Sequence, residues 1–184
     1  MAGNRCDYLT ITSSNDAPLP KNFNPNIDKK PLKKGVVFSA RVHPGETNGS
    51  WMMKGAIDFL SGNSEEALAL RDMFVFKIIP MLNPDGVING NYRCSLAGSD
   101  LNRKWKTPNK ILHPVIYNAK RFIKTFAAEY DIELICDFHG HSRKKNVFMY
   151  GNNVIGKPEA TRLFPYILSK ISPWFNFKDC RFKV

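Results

Sequence analysis

Three residues able to bind one metal ion stand at the ends of two apolar runs. His43 and Glu46 fall within VVFSARVHPGETNGSW, Val36 to Trp51, three positions apart in a His-Pro-Gly-Glu turn. An imidazole and a carboxylate at that spacing can reach the same ion, and they form the mixed nitrogen and oxygen donor set that zinc accepts. Catalytic zinc sites take two near ligands and a distant third and keep one position open, so the turn calls for a partner downstream. Ninety-three residues beyond Glu46, the run LICDFHGHS carries His139. Taken alone, H-x-x-E is weak evidence, because a histidine after a strand is more often a hydrogen-bonded surface or core residue. The second run strengthens it. His141 shares strand parity with His139 and competes as the third ligand. Asp137 has the same parity and suits either a place behind a ligand or an ordinary hydrogen-bonded carboxylate.

A scaffold must bring these residues together, and the hydrophobic pattern indicates its elements. Tyr8 to Thr12 alternates as a strand, and Ser13 to Lys34, with four prolines and a Lys-rich end, reads as an exposed loop with solvated lysines. The Val36 run reads as a buried strand. Asn48 or Ser50 is expected to cap a helix over Trp51 to Leu60, with Trp51, Met52, Ala56, Ile57, Phe59 and Leu60 on its apolar face. A second helix over Ser64 to Arg71 begins with serine and two glutamates, as an N-terminus should. Phe74 to Leu82 reads as a strand stopped by a turn at Asn83-Pro-Asp-Gly86. Pro114 to Tyr130 follows as an amphipathic helix preceded by an exposed His113, with Val115, Ile116, Ala119, Phe122, Ile123, Phe126 and Ala127 on its apolar side. Strands at Ile132 to Phe138 and Asn146 to Tyr150, a helix at Pro158 to Ile171 and a strand from Phe177 to Val184 complete the order. Alternation of strands and helices predicts a three-layer α/β domain around a mixed, mostly parallel sheet, with functional side chains at the carboxyl ends of strands. His43 and His139 both fall there.

Bulk properties narrow the partners. The chain of 184 residues is 43% hydrophobic, which fits one domain with a sizeable core. Lysine and arginine outnumber aspartate and glutamate by 27 to 16, a net charge of +11 that favours acidic partners. The chain has no RNA-binding aromatic signature, zinc-finger spacing or basic helix, so nucleic acid is not the expected partner. Cys6, Cys94, Cys136 and Cys180 are widely spread without a C-x-x-C pair, which favours packed, reduced thiols and a cytoplasmic chain. Neither a signal-peptide core nor a run of ~20 apolar residues is present, so no membrane partner is expected.

The segments AGNRCDYLTIT, SARVHPGET, PMLNPDGVINGNYRCSLAGSDLNRKW and CDFHGHSRKKNVFMYGN, spread over nearly the whole chain, make the pattern specific. Together they resemble the zinc carboxypeptidases, and among these the cytosolic carboxypeptidases that shorten polyglutamate on tubulin. The resemblance implies one zinc ion per chain, held by His43, Glu46 and His139 rather than His141. It places Asp100 behind the first zinc histidine, Arg93 at the developing oxyanion, and Asn102 with Arg103 on the substrate's terminal carboxylate. Those residue types suit those tasks. A carboxylate fixes the tautomer of a ligating imidazole, a guanidinium stabilises an oxyanion, and an arginine fork beside an amide reads a carboxylate by shape as well as charge.

The resemblance also implies partners: acidic protein C-termini or polyglutamate chains such as those of tubulin, met in the cytoplasm or at microtubules and cilia. The family's general base is a glutamate on a late strand beyond the last matching segment. Glu133 and Glu159 lie outside the matching context and Glu46 is committed to zinc, so no residue here is assigned as base. The chain is therefore expected to be a single partial catalytic domain over residues 1–184, C-terminally truncated and lacking the late strands and an upstream β domain. Two alternatives follow: a non-catalytic zinc-containing remnant that binds acidic tails, and a zinc acylase of the aspartoacylase type. The segments DLNRKW and NPDGV fit the carboxypeptidase side better. Arg143-Lys-Lys145, Lys104 and Lys106 suit either the capture of acidic substrate or a solvated surface.

Overall fold

The structure, a computed structural model, describes residues 2–14 and 33–183. Most of the expected Ser13–Lys34 loop lies outside the described residues. The chain divides into two compact units, Met1–Gly140 and His141–Val184.

The first unit is built on a four-stranded sheet. In chain order its strands are β1 (Leu9–Ile11), β2 (Lys34–Ala40), β3 (Phe74–Ile79) and β4 (Ile132–Phe138), arranged in space as β1-β3-β2-β4. β2 runs parallel to both β3 and β4, and β1 is antiparallel to β3. The sheet is thus mixed and mostly parallel, as the alternation of elements predicts. Among the described residues of this unit, the α-helices are α1 (Thr47–Ser61), α2 (Glu65–Met73), the short α3 (Pro84–Ile88) and α4 (Pro114–Glu129).

Alternation along β2 divides the core. Val36 and Ala40 join Met53 and Leu60 of α1 with Phe76 and Ile78 of β3, while Leu70 of α2 packs at the edge of this group. Val37 points the other way and packs with Val75 and with Phe126 of α4. Nearer the start of α4, Ile116 and Ala119 meet Val42, Ile79, Leu82 and Leu101. Period-2 strands sandwiched between period-3.6 helices therefore bury both faces of the central strand.

Some local expectations are corrected. α1 starts at Thr47 with Glu46 at its N-cap position and no side-chain cap. Asn48 instead donates to the His139 carbonyl at 3.4 Å, and the Ser50 hydroxyl accepts from Arg41 at 2.7 Å. Trp51 and Phe59 face outward, and the inward stripe is Met53, Ile57 and Leu60. Lys33 is buried rather than solvated, its ammonium donating to the Thr12 and Ser13 hydroxyls at 3.0 and 2.8 Å. His113 is also buried, its Nδ1 accepting from the Asn109 amide at 3.0 Å. The α2 cap is as expected, with the Ser64 hydroxyl accepting from the Ala67 amide.

In the second unit β5 (Tyr150–Asn152) pairs in parallel with β6 (Arg181–Lys183), and α5 (Glu159–Ile171) lies between them in sequence. The strand expected over Asn146 to Tyr150 begins later, at Tyr150: Asn146 adopts a left-handed φ of 65°, and Val147 forms an isolated parallel bridge to Phe175. The strand expected from Phe177 is shortened by a 3-10 turn over Phe177–Asp179. Lys144, from the expected basic surface run, lies over the Phe148 and Tyr150 rings and donates to the Asp179 carbonyl at 2.7 Å. Among the described residues no helix is long and apolar enough to cross a membrane, and all four cysteines are free.

Candidate metal centre

Parallel pairing of β2 with β4 sets Ser39 beside Asp137 and Ala40 beside Phe138. The carboxyl ends of the two strands are therefore neighbours, and the segments that leave them carry the candidate ligands. After Ala40 the chain passes through Arg41, whose φ is 57°, and the buried Val42 to His43. The Arg41 guanidinium folds back on the turn, donating twice to the Pro44 carbonyl at 3.0 and 2.7 Å and once to Ser50.

Two further segments pack against the turn. Asn83, read in the sequence as part of a simple turn, is the buried N-cap of α3. Its side-chain oxygen accepts from the Gly86 amide at 3.0 Å and its amide donates to the Val42 carbonyl at 3.2 Å. An N-cap followed by Pro at the first helical position uses the same residues as a turn, so the sequence signal serves both. Gly45 donates to the Tyr92 carbonyl at 2.7 Å, and a Cβ there would lie 2.5 Å from the Tyr92 ring and 2.8 Å from its carbonyl oxygen. Only glycine admits so close an approach of the loop that carries Arg93.

His43 Nδ1 lies 2.8 Å from Glu46 Oε1, and His139 Nδ1 lies 3.1 Å from Glu46 Oε2. The three residues present one donor atom each, all within 4.8 Å of one another. The second nitrogen of each ring is also held by a carboxylate. His43 Nε2 is 3.0 Å from Asp100 Oδ1, and His139 Nε2 is 2.6 Å from Asp137 Oδ2. The Gly140 amide adds a 2.6 Å hydrogen bond to Glu46 Oε2. His43 is almost fully buried, so its orientation is fixed by the core rather than by solvent.

Electrostatics follow the contacts. Burial disfavours charge on His139, but the hydrogen bond and charge of Asp137, joined by Glu46, outweigh it and hold its pKa above the usual imidazole range. Burial likewise opposes ionisation of Asp100. The hydrogen bond and charge of His43, the Asn102 amide and Arg93 prevail and hold its carboxyl below the usual range. The Arg93 Nε and Nη2 atoms both reach Asp100 Oδ2, at 2.9 and 2.8 Å.

The donor set fits zinc. Two imidazole nitrogens and a carboxylate oxygen, one from each residue and all within 4.8 Å of one another, are donors of the kind that zinc takes in a catalytic site. An imidazole whose other nitrogen meets a carboxylate is the usual support for a ligating histidine.

Asn102 and Arg103 stand on a 3-10 turn, Leu101–Arg103, that follows Asp100, with the Asn102 amide donating to Asp100 Oδ1 at 2.9 Å. Asp100 thus brings together the first histidine, Arg93 and this turn. Arg103 is exposed. His141, the rival ligand in the sequence, opens the second unit, where its Nδ1 accepts from the Arg143 and Lys144 amides at 3.1 and 3.0 Å.

Comparison with known proteins shows what the chain resembles. A family model described as zinc carboxypeptidase matches residues 1–170. Cytosolic carboxypeptidase 2 of Xenopus tropicalis is 52% identical over 188 residues, covering 100% of this chain and 18% of that protein. Mouse cytosolic carboxypeptidase 1 is 46% identical over 200 residues, covering 100% of this chain and 16% of that protein. The chain therefore spans less than a fifth of the length of these two relatives. The crystal structure of a metallo-carboxypeptidase from Burkholderia cenocepacia superimposes with a TM-score of 0.77 at 26% identity, covering 95% of this chain and 44% of that one. Matched along most of its length by that family model, the chain belongs to the zinc carboxypeptidase family.

Proposed function

We propose that this chain carries the metal-binding and terminus-reading part of a zinc-dependent metallocarboxypeptidase that removes C-terminal or branch glutamates from acidic proteins such as tubulin. The observation that carries the reading is the convergence of His43, Glu46 and His139 on one point at the ends of two neighbouring parallel strands. The names of the relatives, cytosolic carboxypeptidases 1 and 2, support the reaction class and a cytoplasmic setting. The net charge of +11 suits an acidic substrate.

His43, Glu46 and His139 would hold the ion, with Asp100 keeping His43 in the tautomer that presents Nδ1. When bound, zinc supplies polarisation of the scissile carbonyl and activation of water for attack. Arg93, anchored on Asp100 through Nε and Nη2, keeps Nη1 to face the developing negative charge on the substrate oxygen. Asn102 and Arg103 grip the substrate's terminal carboxylate, which lets the site find the end of a chain.

The test combines metal uptake with turnover. The protein is incubated with a peptide ending in several glutamates, and successive losses of one glutamate are followed by mass spectrometry, with chelator and His43→Ala as controls. Stepwise loss that both controls abolish supports the reading. A zinc-loaded chain that shortens no peptide refutes activity for this chain; if it still binds the peptide through Arg103, a binding role takes the place of turnover.

A further inference from the structure

Each candidate ligand imidazole is backed by a carboxylate, and each carboxylate is itself anchored, but by different means. Asp100, behind His43, is held by the Arg93 guanidinium and the Asn102 amide. Asp137, behind His139, is held by a hydroxyl from the neighbouring strand. Ser39 lies opposite Asp137 in the parallel register, is 5% exposed, and donates from Oγ to Asp137 Oδ1 at 2.7 Å. The other oxygen, Oδ2, meets His139 Nε2 at 2.6 Å. One carboxylate oxygen is thus fixed by β2 while the other fixes the ring.

We propose that Asp137, oriented by Ser39, is a positioning residue that commits His139 to bind the metal through Nδ1. The proposal rests on the zinc-centre reading above. An ionised carboxylate can only accept, so it selects the tautomer in which Nε2 carries the proton and leaves the Nδ1 lone pair for the ion. The carboxylate also raises the basicity of the ring toward the metal. Ser39 supplies a neutral anchor, so it orients Asp137 without cancelling its charge. Arg93, by contrast, pairs its charge with that of Asp100. β4 makes the arrangement compact: Asp137 and His139 are two residues apart and therefore on one side of the extended chain. The turn after β2 brings Glu46 Oε2 to within 3.1 Å of the Nδ1 left available.

Zinc affinity is the direct readout, measured by competition with a chromophoric chelator and accompanied by the absorption spectrum of the cobalt-substituted protein. Asp137→Asn keeps the shape but can donate an amide proton to Nε2, which favours the wrong tautomer. Asp137→Ala removes the acceptor. Both are expected to weaken zinc binding by about 10–100-fold and to alter the cobalt spectrum, while the metal-free variants keep the wild-type circular dichroism and lose only the stability of the Ser39 and His139 contacts. A residue that merely supports the fold would lower stability and leave the affinity of the folded protein alone. Affinity within about twofold of wild type in both variants, against the loss expected of a carboxylate behind a ligand, overturns the proposal.

Should neither Asp137 variant fold, Ser39→Ala decides. It retains the carboxylate and removes its anchor, and about a threefold to tenfold weakening is expected from one lost hydrogen bond. An unchanged affinity there overturns the proposal as well. Failure of the underlying reading looks different: wild-type protein would take up no zinc, or His43→Ala and His139→Ala would bind it as well as wild type.

Discussion

Arg41 combines an unfavourable backbone with three favourable side-chain contacts. A non-glycine residue at a φ of 57° costs about 1–2 kcal/mol, while the guanidinium ties Pro44 and Ser50 into the turn that carries His43 and Glu46. Arg41→Ala keeps the backbone cost and loses the contacts, so a destabilisation of about 2–3 kcal/mol is expected. Arg41→Gly loses the same contacts but relieves the backbone, and should be more stable than the alanine variant by about 1 kcal/mol. Urea denaturation of the metal-free proteins distinguishes them; equal midpoints would mean the backbone is not strained. Cys136 gives a second check. Burial, with Asp137 nearby, pushes its thiol up to about 11. The folded pKa lies above the ordinary value, so the unfolded chain loses its proton first. Stability should fall as pH rises from about 9 to about 11, and Cys136 should alkylate far more slowly at pH 8 in the folded protein than in urea. At this scale the sequence offered the candidate triad, His43 and Glu46 by their spacing and His139 over His141 by the family resemblance, and folding brings the three side chains together. The sequence left Asp137 ambiguous and missed Asn83 and Arg41, since their partners are backbone carbonyls brought near only by folding.

Among the elements, α4 illustrates how a helix that supplies no candidate ligand still supports the candidate centre. Ile116 is fully buried against Val42, Ile79 and Leu82, and Val42 immediately precedes His43. Ile116→Ala should cost about 2–5 kcal/mol, the usual loss for an aliphatic side chain cut back in a packed core. Chemical denaturation would measure it, and a cost below about 1 kcal/mol would show that the site collapses around the gap. The strands β2, β3 and β4 and the helices α2 and α4 were readable because apolar runs and 3.6-residue periodicity are long there. The start of α1 was not, because Asn48 and Ser50 have the composition of caps but bind His139 and Arg41 instead. Three-residue strands such as β5 and β6 carry too little alternation to be placed from pattern alone.

For the whole molecule, net charge and exposed apolar surface pull in opposite directions. A charge of +11 favours solubility, yet Trp51, Ile111, Ile155, Ile171 and Trp174 are exposed. β4, with Ile135 on its surface, pairs among the described strands with β2 alone. Strand edges and exposed apolar groups promote association, so the 184-residue chain is expected to self-associate. Light scattering over a concentration series that reports only monomer would contradict this. Binding to glutamate-rich peptides should weaken as salt is added, because exposed charges are screened beyond ~8 Å at physiological ionic strength. Affinity independent of salt would remove charge as the basis of recognition.

The placement of His43 and Glu46 after β2 and of His139 after β4 has a mechanical consequence. One ion held by all three would tie the central strand to its outer neighbour across 93 residues of chain. Such a tie binds the folded arrangement and not the opened one, and is worth about 2.7 kcal/mol when free zinc stands at 100 times its dissociation constant. Amide hydrogens near the carboxyl end of β4 should therefore exchange with deuterium more slowly in zinc and faster after chelation, while those of β1 keep the same rate. The lifetime of that strand would then follow the supply of metal, giving the sheet one edge that loosens when zinc is scarce.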